Sequence, residues 1–327
     1  MSGMSKNVNT VLGKISPEEI GRTLMHEHFI FGYPGFAGDV TLGNSRRDLI
    51  EHALEKAIEI KALGIDTVID ATPNECGRDV EALKEISERS GLHIICSTGF
   101  FREAAGAPSY FTFRQELGYD IVEEIYEMFM KEITDGVADT GIKPGVIKLA
   151  TGENSISEYE TAFFKAAARA QKDTGTPIIT HTEVGTMGPE QADLLLAEGG
   201  IANKISIGHM CGNKDINYHL EVLKRGVYDA FDRFAEENFF GGPSDPDRIR
   251  LMQELIKHGY LNRLLMSTDT VNSFWGRDVA FTGIFEPENA ICMKKIPEEI
   301  NPMMLKMGML QTEIDQIQIG NIKELFK

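Results

Sequence analysis

The chain has 327 residues, 42% of them apolar and 25% charged, an ordinary globular composition with enough material for one large core. Its formal charge of −17 sets the mean field against a phosphate backbone, which excludes a general nucleic-acid binder and is otherwise accounted for by an acidic, soluble surface. No run approaches ~18 uninterrupted apolar residues, and residues 1–17 carry no apolar run behind a basic segment, so neither a membrane span nor a secretory leader is expected. Cys76, Cys96, Cys211 and Cys292 are scattered without C-x-x-C spacing, which suits reduced thiols in a cytoplasmic enzyme better than a disulfide frame.

Taken in order, eight short apolar runs read as strands covered on both faces: 23–28, 67–71, 93–99, 146–149, 177–181, 204–209, 227–232 and 263–269. Residues 46–63 repeat apolar side chains at a helical period (Leu49, Ile50, Ala53, Ala57, Ile60) and stop at Gly64. Segments 80–89, 158–172, 189–198, 215–225 and 246–258 likewise run to a glycine and then to the next strand. This alternation predicts an α/β fold, a (β/α)8 TIM barrel with extended βα loops and a C-terminal helical tail, as a single domain over 1–327. Two stretches exceed the minimal unit. Residues 100–145 hold a Gly/Pro/aromatic loop (100–113) before an amphipathic helix near 119–134, and residues 270–327 begin with a polar loop (270–282). Loops after barrel strands build the active face, so both are candidate substrate walls.

Among the eight histidines, His26 and His28 are two apart in an extended run and project to one face, a start on a transition-metal site. His181 and His209 end the fifth and sixth predicted strands, Lys148 ends the fourth and Asp269 the eighth. A barrel gathers those strand ends in one ring, and six polar residues there are hard to explain as satisfied core groups. His52, His93, His219 and His258 fall in helices, at a strand start or at a helix end, and need no catalytic role. A buried ammonium at Lys148 beside cations is disfavoured, whereas its neutral amine takes up carbon dioxide as a carbamate that offers one oxygen to each of two metals. The competing reading pairs an unmodified Lys148 with a carboxylate such as Glu183.

The runs Thr23-Leu24-Met25-His26-Glu27-His28, Val146-Ile147-Lys148-Leu149-Ala150-Thr151, Ile179-Thr180-His181-Thr182-Glu183, Ile207-Gly208-His209 and Met266-Ser267-Thr268-Asp269 resemble, in order and spacing, the phosphotriesterase-like branch of the amidohydrolase superfamily. The resemblance implies two divalent metals: His26, His28 and Asp269 on the more buried one, His181 and His209 on the more exposed one, and carbamylated Lys148 between them. It also implies a homodimer. Asp232-Arg233-Phe234 looks like an element of the lactonase members, with Arg233 at the substrate mouth. Arg233 can instead be a surface residue paired with Glu236 or Glu237. Two departures bear on substrate. Thr98-Gly99-Phe100-Phe101 offers only phenyl rings where the family has a tyrosine or tryptophan, and Met210-Cys211-Gly212-Asn213-Lys214-Asp215 replaces a more acidic continuation.

The expected chemistry is hydrolysis by a metal-bridging hydroxide, with Asp269 accepting its proton and Arg233 and Lys148 supporting catalysis. Phe100, Phe101, Arg233 and Trp275 are the expected substrate contacts, and Tyr33, Phe36, Tyr110, Phe111 and Phe274 further candidates for an apolar wall. Aromatics of that kind favour an N-acyl-homoserine lactone, a quorum-quenching lactonase with promiscuous action on phosphotriesters. Alternatives are a sugar-lactone or other carboxylic-ester hydrolase, or an inactive barrel acting as a binding protein. Mixed N/O ligands accept Zn first, and also Co, Mn, Fe or Ni.

Overall fold

The computed structural model describes residues 7–41, 43–236, 242–277 and 292–327. A hairpin of β1 (Val8–Thr10) and β2 (Gly13–Ile15) precedes β3 (Thr23–Phe31). Then come β4 (Thr67–Asp70), β5 (His93–Gly99), β6 (Val146–Thr151), β7 (Ile178–Thr182), β8 (Ile205–Ile207), β9 (Tyr228–Phe231), β10 (Leu264–Met266) and β11 (Val271–Phe274). From β3 onward every pairing is parallel, in the order β10-β9-β8-β7-β6-β5-β4-β3-β11.

The two edges of that order, β10 and β11, are consecutive in the chain. The eighth strand of a (β/α)8 barrel is therefore broken: β10 pairs with β9 on one side of the break and β11 with β3 on the other. Backbone bonds carry the seam between them, from Asp269 N–H to His26 O at 3.1 Å and from His28 N–H to Thr270 O at 2.8 Å. The strand expected over 263–269 stops at Met266 because Asp269 takes φ 54°, outside the extended region.

Helices α1 (Arg46–Ala62), α2 (Val80–Ser90), α3 (Tyr110–Glu116), α4 (Ile121–Thr134), α5 (Glu158–Thr174), α6 (Gly188–Ala197), α7 (Ile216–Leu223) and α8 (Asp245–Lys257) cover the sheet. Three more, α9 (Asn301–Lys306), α10 (Gln311–Asp315) and α11 (Asn321–Phe326), follow as the tail. Ser45 and Ser157 open α1 and α5 with capping boxes, and Gly91 and Gly175 close α2 and α5 in the left-handed conformation a Cβ would strain. The short helix α3 lies in the stretch expected as loop. Only Phe111 of its aromatics is buried while Tyr110 and Phe113 are exposed, so it has no apolar stripe to read. The part of the expected 270–282 loop beyond residue 277 lies outside the described residues, and no helix among the described residues is long and apolar enough to cross a membrane.

Met25, Ile69, Ile95, Val146, Ile179, Tyr228, Ala230 and Leu265 fill the lower barrel, while Leu24, Val68, Ile94, Ile147 and Ile178 face the helices. That interior set sets the register of what stands above it. Lys148 in β6, His181 in β7 and Asp232 just past the end of β9 each follow an interior residue by two and so emerge on the same inner face. In β3 a register shift between Leu24 and Glu27 brings His26 and His28 inward above Met25.

Candidate metal centre

Four imidazoles, a carboxylate and an amine meet at the carboxyl end of this ring. Rings of His26 and His209 stack at 4.7 Å, His181 meets His209 edge-on at 4.5 Å, and His28 lies 5.7 Å from His26. Lys148 Nζ is 2.6 Å from His26 Nε2. Asp269 sits at the centre: Oδ1 is 3.2 Å from His28 Nε2 and 3.6 Å from His26 Nε2, and Oδ2 is 3.4 Å from His209 Nε2. The six residues read from the strand ends are thus brought together.

Second contacts orient the rings. Asp232 takes His26 Nδ1 at 2.7 Å on one oxygen, and His209 Nδ1 at 2.9 Å with His209 N–H at 2.7 Å on the other. Accepting both Nδ1–H groups leaves both Nε2 lone pairs facing the centre, the usual way a carboxylate orients an imidazole ligand. His28 Nδ1 bonds Thr72 Oγ1 at 2.9 Å, and His181 Nε2 meets Glu183 Oε2 at 2.8 Å, so that Nδ1 is the ring nitrogen Glu183 does not engage. Among the described residues two groups are compact enough to hold an ion, His26/His209/Asp232 and His26/His28/Asp269. In the first, imidazole N–H groups already occupy the carboxylate, so the second is the better cradle.

The electrostatics suit cation binding. Burial lowers the imidazole of His26, holds that of His209 far below its ordinary value, and takes His181 down to about 4, so all three are neutral. His209 Nε2 is buried with no hydrogen-bond partner among the described residues. Burial alone would raise the Asp269 carboxyl, but His209, His26, His28 and Arg233 together hold it well below the usual carboxylate range. Lys148 is 1% exposed, burial takes its amine down to about 8, and among the described residues no carboxylate forms an ion pair with it. Glu183 is instead engaged by His181 and by Arg102 Nε at 3.0 Å.

Arg233 Nε donates to Asp269 Oδ2 at 3.2 Å and lies 3.6 Å from Glu236, so it faces the centre as well as its neighbour. Glu237 lies outside the described residues. Above the centre is a cavity of about 110 Å³ walled by Phe31, Tyr33, Phe101, Val271 and Phe274, with Arg233 at its side. Phe31 organises the wall, with ring centroids 5.2 Å from Tyr33, 6.3 Å from Phe274 and 6.4 Å from Phe101. Phe101 also meets His181 edge-on at 4.9 Å.

Two expected substrate contacts stand elsewhere. Phe100 packs on Phe111 and Phe163 over α5, because alternate residues of the extended chain point to opposite sides and Phe101 takes the inner one. Trp275 stacks on Phe36 and donates to Gly77 O, behind the wall. Tyr110 is exposed and Phe111 buried in the helix layer. Asp232, Thr72 and Phe31 went unread as site residues. Asp232 had a readable signal, since it continues the inward alternation of Tyr228 and Ala230; Thr72 and Phe31 had none beyond proximity to strand ends.

His219 is buried away from the centre, with Nδ1 2.6 Å from Asp229 Oδ2 and Nε2 donating to Asn213 O at 3.0 Å. His219→Ala strands a buried carboxylate. It is expected to cost ~3–5 kcal/mol in urea denaturation without changing the kcat of the folded protein.

The sequence model of the phosphotriesterase family matches residues 6–326. A phosphotriesterase homology protein of Mycobacterium tuberculosis is 29% identical, over 98% of this chain and 97% of its own. Among solved structures, an organophosphorus hydrolase from Deinococcus radiodurans is 44% identical with a TM-score of 0.95, covering 99% of this chain and 98% of that one. A mutant of a phosphotriesterase-like lactonase from the same organism is 45% identical with a TM-score of 0.93, covering 98% and 100%.

Proposed function

Because the chain belongs to the phosphotriesterase family, we propose that it is a metal-dependent hydrolase that opens lactones, N-acyl-homoserine lactones foremost, with a side activity on phosphotriesters. The observation that carries this reading is the convergence of three imidazole Nε2 atoms and the Arg233 guanidinium on the single carboxylate of Asp269, beneath an aromatic wall. The phosphotriesterase-like lactonase among the similar structures supports the substrate class.

The donor set fits a pair of divalent cations: neutral imidazoles, an anionic carboxylate and, among the described residues, a His209 Nε2 without a hydrogen-bond partner and an amine without a carboxylate partner, which a carbamate would make anionic. In this reading His26, His28 and Asp269 would hold one cation, His181 and His209 the other, and Lys148, once carbamylated, would serve both; Zn, Co, Mn, Fe or Ni suits such N/O ligands. When bound, such a pair polarises the scissile carbonyl and acidifies water enough to supply a nucleophile at neutral pH.

The chain's own groups do the rest. Asp269 orients the attacking water and takes its proton on a carboxylate oxygen. Arg233, with other N–H groups besides the Nε that anchors it to Asp269, donates to the substrate and keeps Asp269 ionised. The water oxygen bonds to the carbonyl carbon, the ring C–O bond breaks, the leaving alkoxide takes up the proton held by Asp269, and the product is a hydroxy acid. The enclosed space of about 110 Å³ is smaller than the ~300–1,000 Å³ of a drug-sized pocket. It takes the ring and scissile bond, and the apolar tail runs out past Tyr33 and Phe274. With a phenyl ring at Phe101 that position gives no hydroxyl to the lactone, so discrimination rests on shape, on Arg233 and on Tyr33, whose phenol also lines the cavity. One domain, working as a cytoplasmic homodimer, completes the proposal.

Metal analysis with a panel of long-chain acyl lactones, sugar lactones and a phosphotriester, compared by kcat/KM, tests it. The expected result is about two ions per chain and the highest kcat/KM on the acyl lactones. Preference for sugar lactones would move the substrate within the same chemistry. A metal-free chain indifferent to chelator would instead make it a binding protein.

A further inference from the structure

Glu27 lies between the two histidines of β3 and is fully buried, on the seam where the eighth strand is broken. Its Oε1 accepts from Ser267 Oγ at 2.6 Å and from Thr268 N–H at 2.9 Å, and its Oε2 accepts from Thr270 N–H at 2.8 Å. Thr268 Oγ1 is 2.8 and 2.7 Å from the two oxygens. The two backbone donors belong to the residues on either side of Asp269, whose own N–H is held by His26 O. In an unbroken parallel ladder, main-chain carbonyls would take such N–H groups. Here a side-chain carboxylate replaces them, and the residue between the two anchored amides is the one with φ 54°, a conformation that strains a residue carrying a Cβ. Among the described residues no cation pairs with Glu27, so these donors are its compensation.

We propose that Glu27 is a positioning residue for the reaction: by clamping the amides of Thr268 and Thr270 it fixes the left-handed turn that aims the Asp269 carboxylate at the centre. The proposal rests on the reading of Asp269 as the proton acceptor. A carboxylate is required, because an amide of the same shape presents N–H where donors already point. The role is distinct from ligation, since the Glu27 oxygens are spent on β10–β11 and not on the centre.

Burial raises the Glu27 carboxyl to about 7 against the pull of these donors, so the comparison belongs well above that pH. In metal-free protein, E27Q is expected to speed amide exchange of residues 266–271 by at least about tenfold while the β5–β7 amides are unchanged. In metal-loaded protein it is expected to lower kcat on an acyl lactone by ~10²-fold, with KM within about threefold and the metal retained. Exchange in 266–271 equal to wild type, or kcat within about threefold of it, overturns the proposal. Should E27Q fail to fold, T268V decides: it removes one donor, and is expected to lower kcat roughly threefold and to loosen the same segment, whereas unchanged exchange there overturns the clamp. A wild type inert on every lactone defeats the functional reading instead, and the exchange comparison in metal-free protein still decides the clamp.

Discussion

Replacing Asp269 by asparagine is expected to abolish lactone turnover, lowering kcat by ~10²–10⁴-fold, while most of the metal stays bound. The carboxylate reaches three imidazoles and Arg233 together, at 3.2 to 3.6 Å. Its surroundings hold it well below the usual carboxylate range, so it is ionised across the working pH range and available to orient water and receive a proton. Asparagine keeps the shape and one acceptor oxygen but has no charge and takes no proton. Its amide nitrogen, placed toward Arg233 Nε, sets donor against donor, and placed the other way it faces His28 and His26. Either placement leaves the four imidazoles where Asp232, Thr72 and Glu183 hold them, and for that reason metal loss is partial. Metal content measured with kcat and KM on one acyl lactone separates the effects. Near-normal kcat with full metal would remove Asp269 from the reaction.

The centre was legible in the sequence because a parallel barrel converts sequence position into place. Each strand end is a rim position, so His26, His28, Lys148, His181, His209 and Asp269 could be gathered without knowing any side-chain contact. The walls were harder. Phe100 and Phe101 are adjacent, and which one faces the centre depends on the path of the chain after β5, where Glu75 Oε1 takes the Phe101 N–H at 2.6 Å. Trp275 follows β11, a strand that was not expected because Asp269 interrupts the run read as continuous from 263 to 269. The residues that orient the ligands were obscured for a related reason. Glu27 and Asp232 read as members of motifs already claimed by His26 and Arg233, and their role appears only once strands distant in sequence are neighbours. The β1–β2 hairpin and α3 are short, with too few buried residues to impose a period.

Lys148→Ala is expected to impair binding of both metals and to cut kcat/KM by at least ~10²-fold. The wild-type amine is fully buried, 2.6 Å from a histidine Nε2, taken down to about 8 by burial, and without a carboxylate partner among the described residues. As an ordinary structural ammonium it is a poor design, since its burial costs free energy that no ion pair returns. As the proposed carbamate it would instead add an anionic ligand to the centre. The two readings give stability changes of opposite sign in Lys148→Met, which fills the same volume without an amine. In metal-free protein the melting temperature should hold or rise, because a buried polar group is gone. In saturating metal the wild type should gain and the variant should not, as ligand linkage stabilises by ~4 kcal/mol at a thousandfold excess over Kd. Equal stabilisation of wild type and Lys148→Met by the same metal would show that the amine is not a ligand, and the pair of cations would then have to be held by the imidazoles and Asp269 alone.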